Sequence, residues 1–440
     1  MIPPLQQIKK VSGEVAISTQ KVQELALNIK NIQDFKKAVK LSENKNISEI
    51  VEIILGSAIA LNASDLHLEP EENQAKLRAR IDGVLYDIVF ISRKLYSALL
   101  SRIKVLSKIK LNISQKPQDG RFSINLGDKE IEIRTSTIPA EYGESVVMRL
   151  LNPQNIISLE ELGLREDLLK IFEKEIKKPH GMIIITGPTG SGKTTTLYAF
   201  LMKIRNPEIK IITIEDPIEY HLEGISQTQV APEKGYDFAS GLRSIVRQDP
   251  DVILVGEIRD LETASIALQA ALTGHLVLTT LHTNDAAGTV ARLIALGEKP
   301  VNIAPALNMA VAQRLVRRVC KNCAHFEKPT VQEKEILKEN LKNLPNNLAA
   351  LIDFDNLKIA RAQGCDQCNF TGFKGRIAIF EAFLVDEEME QFILTAPSIS
   401  ALRKKAKEQG MVTLRQDGYL KVISGITTIE EVEKVVGPTD

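Results

Sequence analysis

The residues best suited to chemistry stand in one run, Gly187-Pro188-Thr189-Gly190-Ser191-Gly192-Lys193-Thr194. It satisfies every fixed position of the phosphate-binding pattern G-x-x-x-x-G-K-[ST]. Glycines there let backbone N–H groups crowd around phosphate oxygens, and a helix N-terminus adds partial positive charge. Lys193 is expected to reach the β- and γ-phosphates, and the Thr194 hydroxyl to hold Mg²⁺. Residues 182–186 read as a buried strand and 195–203 as a helix, so Thr195 closes the nucleotide-binding run. The pattern in this setting predicts a nucleoside triphosphate as ligand.

Carboxylates follow at intervals. The apolar stretch 210–214 ends in Glu215-Asp216-Pro217-Ile218-Glu219. Acids at a strand's C-terminal end can bind Mg²⁺ or position water, so Glu215, Asp216 and Glu219 are candidates, Glu215 as a Mg²⁺ ligand beside Thr194. A second apolar strand, Val252-Ile253-Leu254-Val255, leads to Gly256-Glu257. Gly256 stands where an aspartate is common in nucleotide hydrolases, which leaves Glu257 to act as general base or outer-sphere metal ligand. A third strand is bracketed by His275 and His282, with Thr283 and Asn284 beyond. A histidine at a strand end is more often structural, but a polar cluster recurring at this sheet edge suggests a γ-phosphate sensor. Arg243, Arg247, Arg259, Arg314, Arg317 and Arg318 also lie in this region, without an assignment from sequence.

Cys320-x-x-Cys323 and Cys365-x-x-Cys368 are the only cysteines in 440 residues. Two such pairs make a Cys₄ set for tetrahedral Zn²⁺, with no ligand position left open for catalysis. A metal site in a reducing cytoplasm fits this usage better than disulfides.

The elements that must position these groups follow from pattern. The length suits about three domains. The 56 basic and 56 acidic residues cancel, so no overall field favours nucleic acid or an anionic membrane. No apolar run approaches the ~20 residues of a membrane span. Residues 1–40 read as a short helical arm. Residues 41–152 read as an α+β domain, with a hairpin turning at Asp82-Gly83 and a turn at Gln118-Asp119-Gly120-Arg121. On its first strand Asp65, His67 and Glu69 share a face, as a hydrogen-bonded polar face or a metal site. Arg78, Arg80, Arg134 and Arg149 lie in its strands, and arginines of a neighbouring domain can neutralise transition-state charge. Residues 153–163 read as a linker, 164–385 as an α/β nucleotide domain with a zinc subdomain at 316–376, and 386–440 as a helical region.

Taken together these stretches resemble the secretion-motor NTPases, specifically the assembly ATPases of type II secretion and type IV pili. The resemblance covers roughly residues 45 to 436. It rests on the Ala63–Pro70 stretch, the phosphate loop, the acidic box at 214–220, the Glu257 segment, the histidine segment at 273–284, the tetracysteine module and Asp417-Gly418. It implies a PAS-like domain followed by a RecA-like ATPase domain, in a hexameric ring. It implies ATP as substrate and Mg²⁺ and structural Zn²⁺ as cofactors. Glu257 would activate or orient water, His275 and His282 would act near the γ-phosphate, and Arg134 and Arg149 would reach onto the phosphates. The expected partners are further copies of the chain, an inner-membrane platform protein and a membrane docking protein, and not nucleic acid. The expected location is the cytoplasm, on the inner membrane through partners. Only about 40 residues precede the matching region, where assembly ATPases carry a further docking domain. The tetracysteine module favours assembly or secretion over pilus retraction. A RecA-like nucleic-acid translocase and a non-hydrolysing regulatory scaffold are the alternatives; zero net charge weighs against the first, and Lys193 with Glu257 against the second.

Overall fold

The computed structural model describes residues 14–15, 24–25, 27–126, 130–152 and 157–437. Most of the expected N-terminal arm, and residues 153–156 of the expected linker, lie outside that set. The chain divides into two compact units, Met1–Gln154 with Gly364–Thr371, and Asn155–Gln363 with Gly372–Asp440. Both are mixed α/β.

In the first unit, β1 (Glu14–Val15), β2 (Asp65–Pro70), β3 (Gln74–Ile81), β4 (Val84–Ser92), β5 (Gln118–Asn125), β6 (Glu130–Ala140) and β7 (Gly143–Leu151) form one sheet. Its order is β1-β5-β6-β7-β2-β3-β4, antiparallel apart from the β1–β5 pair. Alternation sorts its faces: Ala75, Leu77, Ala79 and Ile81 of β3 are buried, with Lys76, Arg78 and Arg80 between them on the other face. Helices α1 (Ile32–Ser42), α2 (Ile47–Ala60) and α3 (Arg93–Leu106) add Phe35, Ile54, Leu55, Leu99 and Ile103 to that core. Each begins on a side-chain cap, from Asn31, Asn46 or Ser92, that satisfies an otherwise unpaired backbone donor.

The polar face carries a row of residues in register. Arg121 on β5 faces Arg134 on β6, then come Arg149 on β7, Asp65 on β2 and Arg80 on β3. This corrects the expected turn at 118–121, which is instead the start of β5. Gly120 there marks a close approach and not a bend: a Cβ on it would stand 2.1 Å from the Ser107 carbonyl oxygen.

The second unit is built on β8 (Gly181–Thr186), β9 (Ile211–Glu215), β10 (Ser226–Gln229), β11 (Val252–Val255), β12 (Leu276–Leu281), β13 (Leu307–Val319) and, after the short pair β14 (His325–Glu327) and β15 (Ile359–Arg361), β16 (Phe373–Leu384). The order is β10-β9-β11-β12-β8-β13-β16, parallel except for β16 at the edge. Helices α4 (Glu166–Glu175), α5 (Lys193–Ile204), α6 (Phe238–Val246), α7 (Leu261–Leu272) and α8 (Gly288–Leu296) flank the sheet. Two apolar clusters form, one with Met182, Ile184, Ile253 and Val277, the other with Ile183, Ile185, Leu254 and Leu278. Alternate residues of the same strands enter different clusters, so the sheet is buried on both faces.

Four helices close the chain, Glu387–Leu394, Ile399–Glu408, Leu414–Ile423 and Ile429–Val436. Asp417 pins them to the sheet. Its buried carboxylate accepts from Arg165 Nη1 (2.7 Å), Lys421 Nζ (2.9 Å) and the Phe380 N–H (2.8 Å). Burial alone would raise its pKa, but the Lys421 and Arg165 cations hold it below the usual carboxylate range. Among the described residues no helix is long and apolar enough to cross a membrane.

Candidate active site

Parallel strands bring their C-terminal ends to one edge. Register aligns Thr186 with Leu281, Val255 with Ile214 and Thr279, and Glu215 with Gln229. Whatever follows these strands therefore gathers at that edge.

The phosphate loop runs from β8 into α5. No side chain caps α5; its N-cap is Gly192 in the left-handed region, at φ 88°. The first N–H groups of the helix therefore point outward with the positive end of its dipole, ready for an anion. Gly187 is held by contact: a Cβ there would lie 2.6 Å from both the Gln313 carbonyl oxygen and Ser191 Oγ. Ser191 Oγ is buried and makes no hydrogen bond, an orphaned polar atom inside the loop. Lys193 Nζ donates to the carbonyls of Gly187 (2.8 Å) and Pro188 (3.2 Å). Burial pushes its pKa down, Glu257 opposes this, and Arg314 adds to it. A cation held only by neutral carbonyls, an orphaned hydroxyl and an uncapped helix suit phosphate. Thr194 is exposed at the helix start, and Thr195 is partly buried.

Glu257 follows β11 on a short loop hooked to the next strand, with Thr280 Oγ1 donating to the Gly256 carbonyl (2.7 Å). A Cβ on Gly256 would stand 3.3 Å from the Glu215 backbone, a tight approach that a larger residue would meet only with a small shift. The Glu257 carboxylate pairs with Arg259 and lies 3.4 Å from His282 Nε2. Arg259 also faces Asp216 at 3.6 Å. Glu257, Arg259, Asp216 and His282 thus form one charged group at the loop's edge, and Glu219, partly buried, follows Asp216 in the turn after β9.

Two expected residues are placed differently, one at the opposite edge and one buried at this edge. His275 precedes β12 and so lies at the opposite edge, beside Gly181 at the start of β8. With the six residues of β12 between them, His275 and His282 are seven steps of about 3.3 Å apart, roughly 23 Å. Its ring nitrogen meets the Ala270 carbonyl at 3.0 Å, as part of the turn after α7. Glu215 is buried, and its two oxygens take Tyr198 (2.5 Å), Thr213 (2.5 Å) and Gln227 (3.2 Å). That carboxylate is occupied in holding β9, α5 and β10 together and is not presented as a metal ligand. Tyr198 answers it: burial first, then Glu215, raises the phenol's pKa far above its ordinary value.

Sequence reasoning missed the braces behind the loop. Buried Gln313 accepts from Thr196 Oγ1 (2.8 Å) beneath α5. Thr186 Oγ1 joins the Leu281 carbonyl (3.0 Å), Thr283 Oγ1 (2.8 Å) and the Thr283 N–H (2.7 Å), which ties the loop's entry to the turn after β12. Polar residues at strand ends signalled the Thr186–Thr283 brace alone; Gln313 and Thr196 lie inside regular elements.

In the first unit, Arg149 Nε meets Asp65 at 3.0 Å and Arg80 Nε meets it at 3.4 Å, while Arg134 Nε meets Glu132 at 3.1 Å. Glu69 pairs with Arg78 at 3.4 Å. These contacts favour the polar-face reading of Asp65, His67 and Glu69; the metal-binding group found among the described residues is the cysteine set. Those four sulfurs all lie within 4.8 Å of one another, and none is in a disulfide. Cys365 and Cys368 Sγ are 3.8 Å apart, the separation expected of sulfurs bound tetrahedrally at about 2.3 Å.

A phosphate loop on a parallel sheet, with a carboxylate at the edge beside it, defines a P-loop nucleoside triphosphatase. Comparison narrows the class. The family model described as "Type II/IV secretion system protein" matches residues 40–434, and the chain belongs to that family. It is 43% identical over 411 residues to the type II secretion system ATPase E of Vibrio cholerae, covering 91% of this chain and 79% of that one. The type IV pilus assembly ATPase PilB of Thermus thermophilus is 43% identical over 385 residues, 88% of this chain and 42% of PilB. Among solved structures, the pilus retraction motor PilT with bound ADP aligns at TM-score 0.59 and 26% identity, over 88% of this chain and 96% of that one. The protein is an ATP-hydrolysing enzyme of the secretion-ATPase family, a family that uses ATP and a divalent metal.

Proposed function

We propose that this enzyme works as a homohexamer in the cytoplasm, using ATP hydrolysis to drive assembly of a type IV pilus or a type II secretion pseudopilus. It would act through an inner-membrane platform protein, with a membrane docking protein as a further partner. The observation that carries this reading is the convergence of Lys193, Glu257 and His282 on one sheet edge, in a chain so close to secretion ATPase E. In this reading the first unit is PAS-like and the second RecA-like.

The roles in this reading draw on the site's charges and on the family resemblance. The N–H groups of 187–195 and Lys193 hold the phosphates. Thr194 would hold Mg²⁺, which would supply positive charge against that of the triphosphate. Glu257 takes a proton from, or orients, the attacking water, and His282 steadies that carboxylate. Arg259 must release Glu257 for this to occur. Arg134 and Arg149 supply guanidinium to the phosphates, Arg149 leaving Asp65 to do so. The cysteine set holds structural Zn²⁺, and its sulfur spacing supports that.

Phosphate release by the purified wild type, set against Lys193→Ala, tests the reading. The variant is expected to lose roughly a hundredfold or more in turnover, the scale of one essential charge contact. A wild type that does not hydrolyse ATP, or a variant as active as wild type, would refute it. Metal analysis should find one zinc per chain; none in freshly purified protein would remove the zinc assignment.

A further inference from the structure

A second cation borders the phosphate loop. Arg314 lies on β13, the strand paired to β8 on the side away from β12. A Cβ on Gly187 would stand 3.0 Å from Arg314 Nη1, so the guanidinium touches the first turn of the loop. Its hydrogen bonds go to backbone carbonyls, Nη1 to Gln313 (2.9 Å) and Nη2 to Asn284 (2.8 Å). Among the described residues it makes no salt bridge.

The nearby acids are engaged elsewhere. Glu381 is buried and accepts from the N–H groups of Ala286 (3.0 Å) and Leu414 (3.2 Å). Asp285 accepts from the Gly288 N–H (2.7 Å) and pairs with Arg403. Arg314, Glu381 and Arg403 line a cavity of about 900 Å³ in this unit. Burial pushes the Arg314 pKa down, as it does that of Lys193.

Two half-buried cations therefore flank one glycine loop, each satisfied by neutral carbonyls. A guanidinium has five N–H donors in a planar fork, so Arg314 keeps donors in hand beyond those it uses. Glu381 and Asp285 offset only part of the burial of this guanidinium, and an arriving polyanion offsets more. Merely stapling Asn284 to the sheet would not call for a charge.

We propose that Arg314 is a second phosphate-binding residue of the nucleotide site, supplied by the same subunit as the loop, with the triphosphate as its ligand. The proposal rests on the ATPase reading above. Through Asn284 the same side chain joins the loop to the turn that begins with His282, so phosphate contact and the placement of that turn share one guanidinium.

The test uses the full chain as wild type, Arg314→Gln and Arg314→Lys, with Mg²⁺ and a fluorescent ATP analogue, and thermal unfolding without nucleotide. Arg314→Gln should melt near wild type and bind the analogue roughly tenfold to a hundredfold more weakly, the range of a charged hydrogen bond. Arg314→Lys should recover part of the loss, because it restores the charge without the fork. Wild-type affinity in Arg314→Gln would overturn the proposal. Equal weakening in both variants would also overturn it, in favour of a structural staple. Lys193→Ala measured alongside separates the two readings: if it binds as tightly as wild type, the nucleotide site itself is misassigned.

Discussion

The two sheets of this protein hold their polar residues in different places. The antiparallel sheet of the first unit has one apolar face and one polar face, and its charged groups form a row across strands, Arg121, Arg134, Arg149, Asp65 and Arg80. The central parallel strands of the second unit, β8, β9, β11 and β12, are buried on both faces, so charge is excluded from their interiors and collects at their ends. An edge of that kind is compact and open to a small ligand. A row across a face is long, and its arginines are partly neutralised by Asp65 and Glu132. The first arrangement suits chemistry on one phosphate chain; the second is the one proposed to lend charge to it.

That contrast can be broken most sharply at the arginine row. Arg134→Ala and Arg149→Ala should fold and bind ATP nearly as wild type, yet lose about 10³-fold in turnover, the scale of an arginine that stabilises phosphoryl transfer. Lysine at either position should rescue poorly, since it lacks the bidentate fork. If steady-state assays show both alanine variants above half of wild-type turnover, the row is only a solvated strand face.

A smaller effect sharpens the edge rule within a single strand. His282 and His275 bracket β12, but only His282 comes near Glu257. His282→Ala should lower turnover by roughly twofold to tenfold, the worth of one modest hydrogen bond. His275→Ala should leave kcat within about twofold and act on stability instead. A larger kcat loss in His275→Ala than in His282→Ala would show that sheet edge does not sort these histidines.

The phosphate loop was legible because its pattern states local backbone demands: glycine where φ is positive or space is short, lysine where charge is needed. The positions of Glu257 and His282 were legible because an apolar strand followed by a polar residue places that residue at a known end. The same reasoning, applied strictly, separates His275, which precedes its strand. Glu215 shows the limit. A carboxylate at a strand end reads as a ligand, and its sequence neighbours do not reveal that Tyr198, Thr213 and Gln227 donate to it. Gln313, Thr196 and Arg314 sit inside regular elements, and their partners lie far away in sequence, so no local pattern announces them. Gly120 was misread because close packing and tight turning ask for the same residue.

The central claim is that Glu257 at the parallel-sheet edge activates water for an ATP held by the loop. Purified Glu257→Gln, assayed for ATP binding and for phosphate release together, tests it most directly. The amide keeps the side chain's size but cannot accept the proton, so binding should stay within a fewfold of wild type while release falls roughly 10²- to 10⁴-fold. Near wild-type release with normal binding would contradict the assignment.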